Sequence, residues 1–202
     1  MSFSKTSLFA RALLMLLPSL AAPGIGRADG MEDHISLPSA EYSLEIDKSA
    51  RELLLRQGSR IARKYRVAVG RGGHGEKQIR GDNKTPEGVY YIAGFNEEST
   101  FDIFFRLNYP NVKDGFFGLQ RLLITRQEFN QIVDAQRQDA LPPQNTPLGG
   151  AIGIHGIGQE TPSLLKIHRN MDWTKGCIAL TNREIHELRS YVDVGTRVVI
   201  RE

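Results

Sequence analysis

Residues 172–182 read "DWTKGCIALTN" and hold the only cysteine of the 202-residue chain. In "GCIAL", residues 176–180, an apolar run follows a glycine, and successive side chains of a strand point to opposite faces. Ile178 and Leu180 are therefore expected toward a core, with Cys177 and Ala179 on the other face. Upstream, "AIGIHGIG" at residues 151–158 repeats the arrangement, with Ile152 and Ile154 facing one way and His155 the other. Each strand buries aliphatic side chains and presents a reactive type opposite them, as a site built on rigid elements requires. Packing the cysteine into an all-apolar core would call for the opposite parity.

A thiol is a strong nucleophile, but at an unperturbed pKa of about 8.5 only a few per cent is ionised near neutrality, so it needs a base. His155 stands 22 positions upstream of Cys177, a spacing that suits neighbouring strands. His168, nine positions upstream, follows "TPSLLKI", which reads as an apolar helical turn rather than a site strand. His186 falls beside the apolar face of a helix and is expected to be solvated, while His34 and His74 lie in loop-like sequence. Gly176, lacking a Cβ, lets a substrate approach the backbone and is expected to offer its amide, with that of Cys177, to a developing oxyanion. Lys175 either favours the thiolate through its charge or is simply solvated. A zinc site would have to gather Cys177, His155 and His168, which lack short ligand spacing and a second cysteine, so no metal is expected.

Working outward, "YSLEI" at residues 42–46 alternates as a strand, residues 53–55 read as strand or short helix, and residues 65–69 form another β-rich run. Gly70, Gly72 and Gly75 match G-x-G-x-x-G, but no amphipathic helix follows, and the stretch reads as a hairpin loop. A turn cluster at Asp82, Asn83 and Pro86 leads to a strand over residues 89–92. Thr125 and Glu128 form a capping-box pattern that opens a helix with Phe129, Ile132 and Val133 on one face. A second helix starts near Thr181 or Asn182, has Glu184 at capping-box spacing and aligns Ile185, Leu188 and Val192. The strand "TRVVIRE" closes the chain. The fold class is mainly β with a few helices (α+β), in a single domain.

The N-terminal residues read as an export signal. Lys5 and Arg11 flank an apolar run over residues 12–22, too short to span a bilayer, and small residues precede an expected cleavage after Ala28. Residues 1–28 contain three basic side chains (Lys5, Arg11, Arg27) and no acidic one, so the formal charge of +3 falls to 3 − 3 = 0 from Asp29 onward. With no basic stripe carrying interleaved aromatics, no nucleic-acid role is expected. An exported chain with one cysteine has no internal disulfide to make, leaving a buried thiol, an intermolecular bridge or a reactive nucleophile.

"IHGIG" at 154–158, followed by "TKGCIALTN" at 174–182, resembles the catalytic motif of the L,D-transpeptidase (YkuD-type) domain. "GDNKTPEGVYYI" at 81–92 resembles that family's upstream segment, and the likeness extends over roughly residues 40–201. The resemblance implies a β-sandwich-like catalytic fold over residues 41–202, after a signal peptide at 1–28 and an extension at 29–40. It implies Cys177 as nucleophile, His155 as general base, and the Gly156 carbonyl as orienter of the imidazole. It implies Gly176, Thr174 and Asn182 at the oxyanion or substrate-binding region, where Lys175, placed by its charge, stands with them. Peptidoglycan stem peptides would be the partners, a tetrapeptide donor with an amine or water acceptor, with room for envelope partner proteins and no cofactor. The compartment implied is the periplasm or cell envelope. Lys175 stands where the family often has histidine, and Ala179 where many members have arginine. These departures bear on the acceptor, so an L,D-carboxypeptidase or a hydrolase releasing proteins from peptidoglycan stands beside the transpeptidase reading. A non-catalytic cell-wall binding protein is the alternative of a different class.

Overall fold

Alternation of buried and open side chains organises the molecule, which in a computed structural model is described for residues 42–202. Eight strands and four helices follow in the order β1 (Tyr42–Asp47), β2 (Glu52–Gln57), β3 (Arg60–Arg66), β4 (Gly88–Ser99), β5 (Asp102–Leu107), α1 (Val112–Gln120), α2 (Arg126–Arg137), β6 (Gly153–His155), α3 (Pro162–Asn170), β7 (Ile178–Ala179), α4 (Asn182–Arg189) and β8 (Arg197–Arg201). The segments expected at residues 1–28 and 29–40, and His34 with them, lie outside the described residues.

The sheet order is β3-β2-β1-β8-β4-β5-β6-β7. β1 lies antiparallel to β2 and parallel to β8, with Leu44 opposite Val198 and Ile46 opposite Ile200. β4 is long enough to serve two neighbours: Gly88 to Tyr91 pair with β8, and Ile92 to Ser99 with β5, across register shifts that bend the strand. The expected strand at 89–92 is the beginning of this element. At the far edge, Ala68 and Ala179 exchange both backbone hydrogen bonds (3.1 and 2.8 Å). The chain just beyond β3 thereby covers the outer edge of β7, and the sheet folds back on itself instead of leaving that edge unpaired.

One face of every strand supplies the core. Leu44, Leu53, Leu55, Ile92, Phe105, Ile154, Ile178 and Val198 are all buried in a single apolar cluster. A smaller cluster of Ile124, Ile132 and Leu148 sits under α1 and α2.

Two sequence expectations need correction. The glycine-rich stretch is no hairpin loop, because β3 and β4 are not sheet neighbours. The β-rich run at 65–69 is not one strand either, since β3 ends at Arg66 and only isolated bridges follow. β5 and α1 went unanticipated. In α1, Gly115 and Gly118 weaken the helical signal, yet each is needed for packing. A Cβ on Gly118 would stand 2.7 Å from Leu148, and one on Gly115 would stand 3.1 Å from Phe129.

Candidate active site

Strand register brings the reactive residues together. In the parallel β6–β7 pair, Ile154 lies opposite Ile178 and His155 opposite Ala179, while across β5 His155 lies opposite Phe104. Cys177 immediately precedes β7, two residues before Ala179, and extended backbone continued back to it sets it on the His155 face as a diagonal neighbour. With strands about 4.8 Å apart and a two-residue rise of about 6.6 Å, such positions are on the order of 8 Å apart at Cα. The expected parity of the aliphatic residues is present, since Ile154 and Ile178 are fully buried. The opposite face is less open than the sequence suggested, because His155 and Ala179 are buried too.

His155 is held on several sides. Its Nδ1 lies 2.6 Å from the Gly156 carbonyl oxygen. A carbonyl only accepts, so Nδ1 carries the proton and the Nε2 lone pair is left available. Phe101 packs on the ring at 4.5 Å between centroids, Phe104 stacks at 6.1 Å, and Trp173 meets it edge-on at 6.0 Å. Burial lowers the imidazole pKa below its ordinary 6.5; the Gly156 bond opposes this and the nearby His168 reinforces it. The side chain is thus a neutral base at neutral pH. Asn182 fixes the turn that follows: its Oδ1 accepts from the Ile157 and Gly158 amides (2.8 and 3.1 Å), and its Nδ2 donates to the Gly158 carbonyl (2.6 Å). Its side chain holds backbone, a positioning contact where a substrate contact had been expected.

Cys177 is partly buried, and its Sγ lies 3.5 Å from the Ala151 carbonyl. Burial pushes its thiol up to about 11, against the pull of the Gly153 amide and the Lys77 ammonium. The resting thiol is accordingly protonated, and no depressed pKa marks it. Ala151 itself adopts a φ of 53°. For a residue with a Cβ this region costs about 1–2 kcal/mol, and such strain gathers at functional sites. The Ala151 amide is held by Gln144 Oε1 at 2.7 Å.

The turn before the cysteine is built on Thr174. Its Oγ1 accepts the Gly176 N–H at 3.1 Å and donates to the Cys177 carbonyl at 2.7 Å. The Gly176 amide, expected free for an oxyanion, is therefore engaged within the turn. Glycine is required there on two counts: a φ of 126°, and a Cβ that would stand 2.8 Å from the Lys84 carbonyl. Lys84 belongs to the "GDNKTPEG" segment, which forms a wall of the site. Burial alone would raise the Asp82 pKa, but Lys77 Nζ (2.8 Å) and the amides of Gln78, Ile79 and Lys84 hold it below the usual range. Lys175 is exposed.

The other histidines lie elsewhere. His168 is buried on α3, 3.5 Å from Trp173 Nε1, and lines a cavity of about 490 Å³ to which neither Cys177 nor His155 contributes. His186 is exposed beside Asp102, and His74 is exposed beside Glu202. Sequence reasoning missed Phe101, Phe104, Trp173 and Ala151; of these, only the position of the sole tryptophan within the cysteine motif offered a signal.

A mainly β fold with a histidine on β6 and a cysteine immediately ahead of the adjoining β7 defines the class. The family model for the L,D-transpeptidase catalytic domain (YkuD) matches residues 41–200, and the chain belongs to that family. The protein named "Putative L,D-transpeptidase YkuD" from Bacillus subtilis (strain 168) is 27% identical over 194 residues, covering 94% of this chain and 84% of that protein. Among solved structures, the helical cell shape determining protein Pgp2 from Campylobacter jejuni is 22% identical with a TM-score of 0.53, over 80% of this chain and 48% of that one. Its K307A mutant gives 20% and 0.52, over 80% and 47%. These two structures share the fold, and this chain spans about half of their length.

Proposed function

We propose that this protein is an exported, cysteine-dependent acyltransferase of the L,D-transpeptidase type, acting on peptidoglycan stem peptides in the periplasm or cell envelope. The observation that carries this reading is the locked tautomer of His155, whose Nδ1 is committed to Gly156 while Nε2 remains basic on the strand paired with β7, which Cys177 immediately precedes.

With the thiol near 11, about one in ten thousand is ionised at pH 7. Proton transfer to His155 Nε2 must therefore accompany attack by Sγ on the peptide carbonyl. Sulfur bonds to the carbonyl carbon as the thiol proton passes to the imidazole. The tetrahedral intermediate then collapses, the imidazolium gives its proton to the departing amine, and a thioester remains on Cys177. An acceptor amine from a second stem, or water, then attacks the thioester with His155 again as base. The Gly156 carbonyl orients the ring in the place a triad gives to a carboxylate. Thr174 fixes the turn that presents the nucleophile, and Asn182 fixes the turn after the base. Envelope proteins could supply the acceptor strand or its orientation.

The test is to incubate the protein with purified tetrapeptide and tripeptide muropeptides and read the products by mass. Dimers joined through stem amines are expected with the wild type and absent with Cys177→Ala. Shortened monomers instead would make water the acceptor, and identical products from both proteins would contradict the mechanism.

A further inference from the structure

A cavity of about 410 Å³ lies one residue layer from Cys177, which does not itself line it; the lining includes Ala151, whose carbonyl lies 3.5 Å from Cys177 Sγ. Its charged lining residues are Lys77, Arg80 and Lys175, with no acidic side chain among them. Lys77 is neutralised, since its Nζ lies 2.8 Å from Asp82, just outside the lining. Arg80 is not. Its Nη2 donates to the carbonyls of Thr146 (3.1 Å) and Gln144 (3.4 Å), and it has no carboxylate partner among the described residues. Lys175 is exposed and likewise has no partner among the described residues.

The backbone of the walls is unusually constrained. Gly81, Asn83, Gly149 and Ala151, all lining the cavity, have positive φ. Asp82, between two of them, accepts three backbone amides that set the loop carrying Arg80. Two uncompensated cations on such a frame, both exposed and one of them a planar fork with unused donors, match a carboxylate.

We propose that Arg80 and Lys175 form a carboxylate-binding subsite that anchors the peptide substrate beside Cys177 and selects peptides bearing a free carboxylate at that position. This rests on the peptide-acyl reading of the site. Stem peptides carry carboxylates of two origins, the C-terminus and the side chains, and either presents the same chemistry to the pair.

The experiment measures binding as well as turnover. Calorimetry on Cys177→Ala, which binds without reacting, compares three tetrapeptides: free acid throughout, amidated at the C-terminus, and amidated at the side-chain carboxylates. The free acid is expected to bind about tenfold tighter than one of the two amides, which identifies the carboxylate. Adding Arg80→Gln or Lys175→Gln should erase that preference by weakening the free acid alone. Lys175 is exposed and makes no contact that the fold needs, so its variant guards against a folding defect in the other. In the active protein the same substitutions should raise KM about tenfold for the free acid and leave kcat within about twofold. Equal affinity for all three peptides, absence of binding to any of them, or equal losses on acid and amide overturn the subsite. Carboxylate-dependent binding without cysteine-dependent turnover would leave the subsite standing and remove the proposed function; turnover without carboxylate dependence would do the reverse.

Discussion

His155 owes its behaviour to its cover. Phe101, Phe104 and Trp173 exclude water from the ring, and that desolvation outweighs the Gly156 bond in setting the direction of its pKa. With the folded value below 6.5, the imidazole is neutral throughout the neutral range and becomes charged only as pH falls through that lowered value. Activity should therefore hold below pH 6.5 and be lost further into acid. Between 6.5 and the lowered value the unfolded chain binds more protons than the folded one, so stability also declines there as pH falls. Phe101 is 40% exposed, so truncating it should open the ring without collapsing the core. Phe101→Ala is expected to move the acid limb of kcat/KM up toward 6.5, with an imidazole NMR titration moving in parallel; an unshifted limb would mean that the cover does not set the pKa. At this scale the sequence was informative about Cys177 and His155 and silent about the cover, because Phe101 and Phe104 reach the ring from the turn and the strand of a neighbouring hairpin.

At the scale of elements, local signals succeeded where they were self-contained. The capping boxes at Thr125 and Thr181 were legible, and both are present with reciprocal bonds to Glu128 and Glu184. The parity of residues 152–155 and 177–180 was equally legible. β5 alternates clearly, with Ile103, Phe105 and Leu107 inward, but it follows directly on β4 and escaped separation from it. α1 was hidden because its glycines answer to Leu148 and Phe129 rather than to their own neighbours. The two boxes also provide a matched test. Removing either hydroxyl should cost about 1 kcal/mol of stability, read from urea denaturation. Only α4 begins with Asn182, the residue that pins the turn after His155. Thr181→Ala is expected to lower kcat severalfold, and Thr125→Ala to leave it unchanged at the same loss of stability. Equal kcat values in both would detach α4 from the site.

For the molecule as a whole, the decisive contacts join residues far apart in sequence: β1 with β8, Ala68 with Ala179, and Lys84 with Gly176. No local pattern encodes these, so the closure of the sheet and the role of "GDNKTPEG" as a wall of the site could be reached from sequence only through family resemblance. The same closure explains the resting thiol. A thiol seated in a folded-over sheet is desolvated and remains protonated, so the proposed attack depends on His155 as base. The most direct measurement of that claim is the intact mass of the protein after incubation with tetrapeptide donor and a rapid acid quench. An adduct equal to the donor acyl group should appear on Cys177 of the wild type, be absent from folded Cys177→Ala, and be reduced at least a hundredfold in rate in His155→Ala. Product formation without any adduct, or an adduct that survives loss of Cys177, would contradict the account.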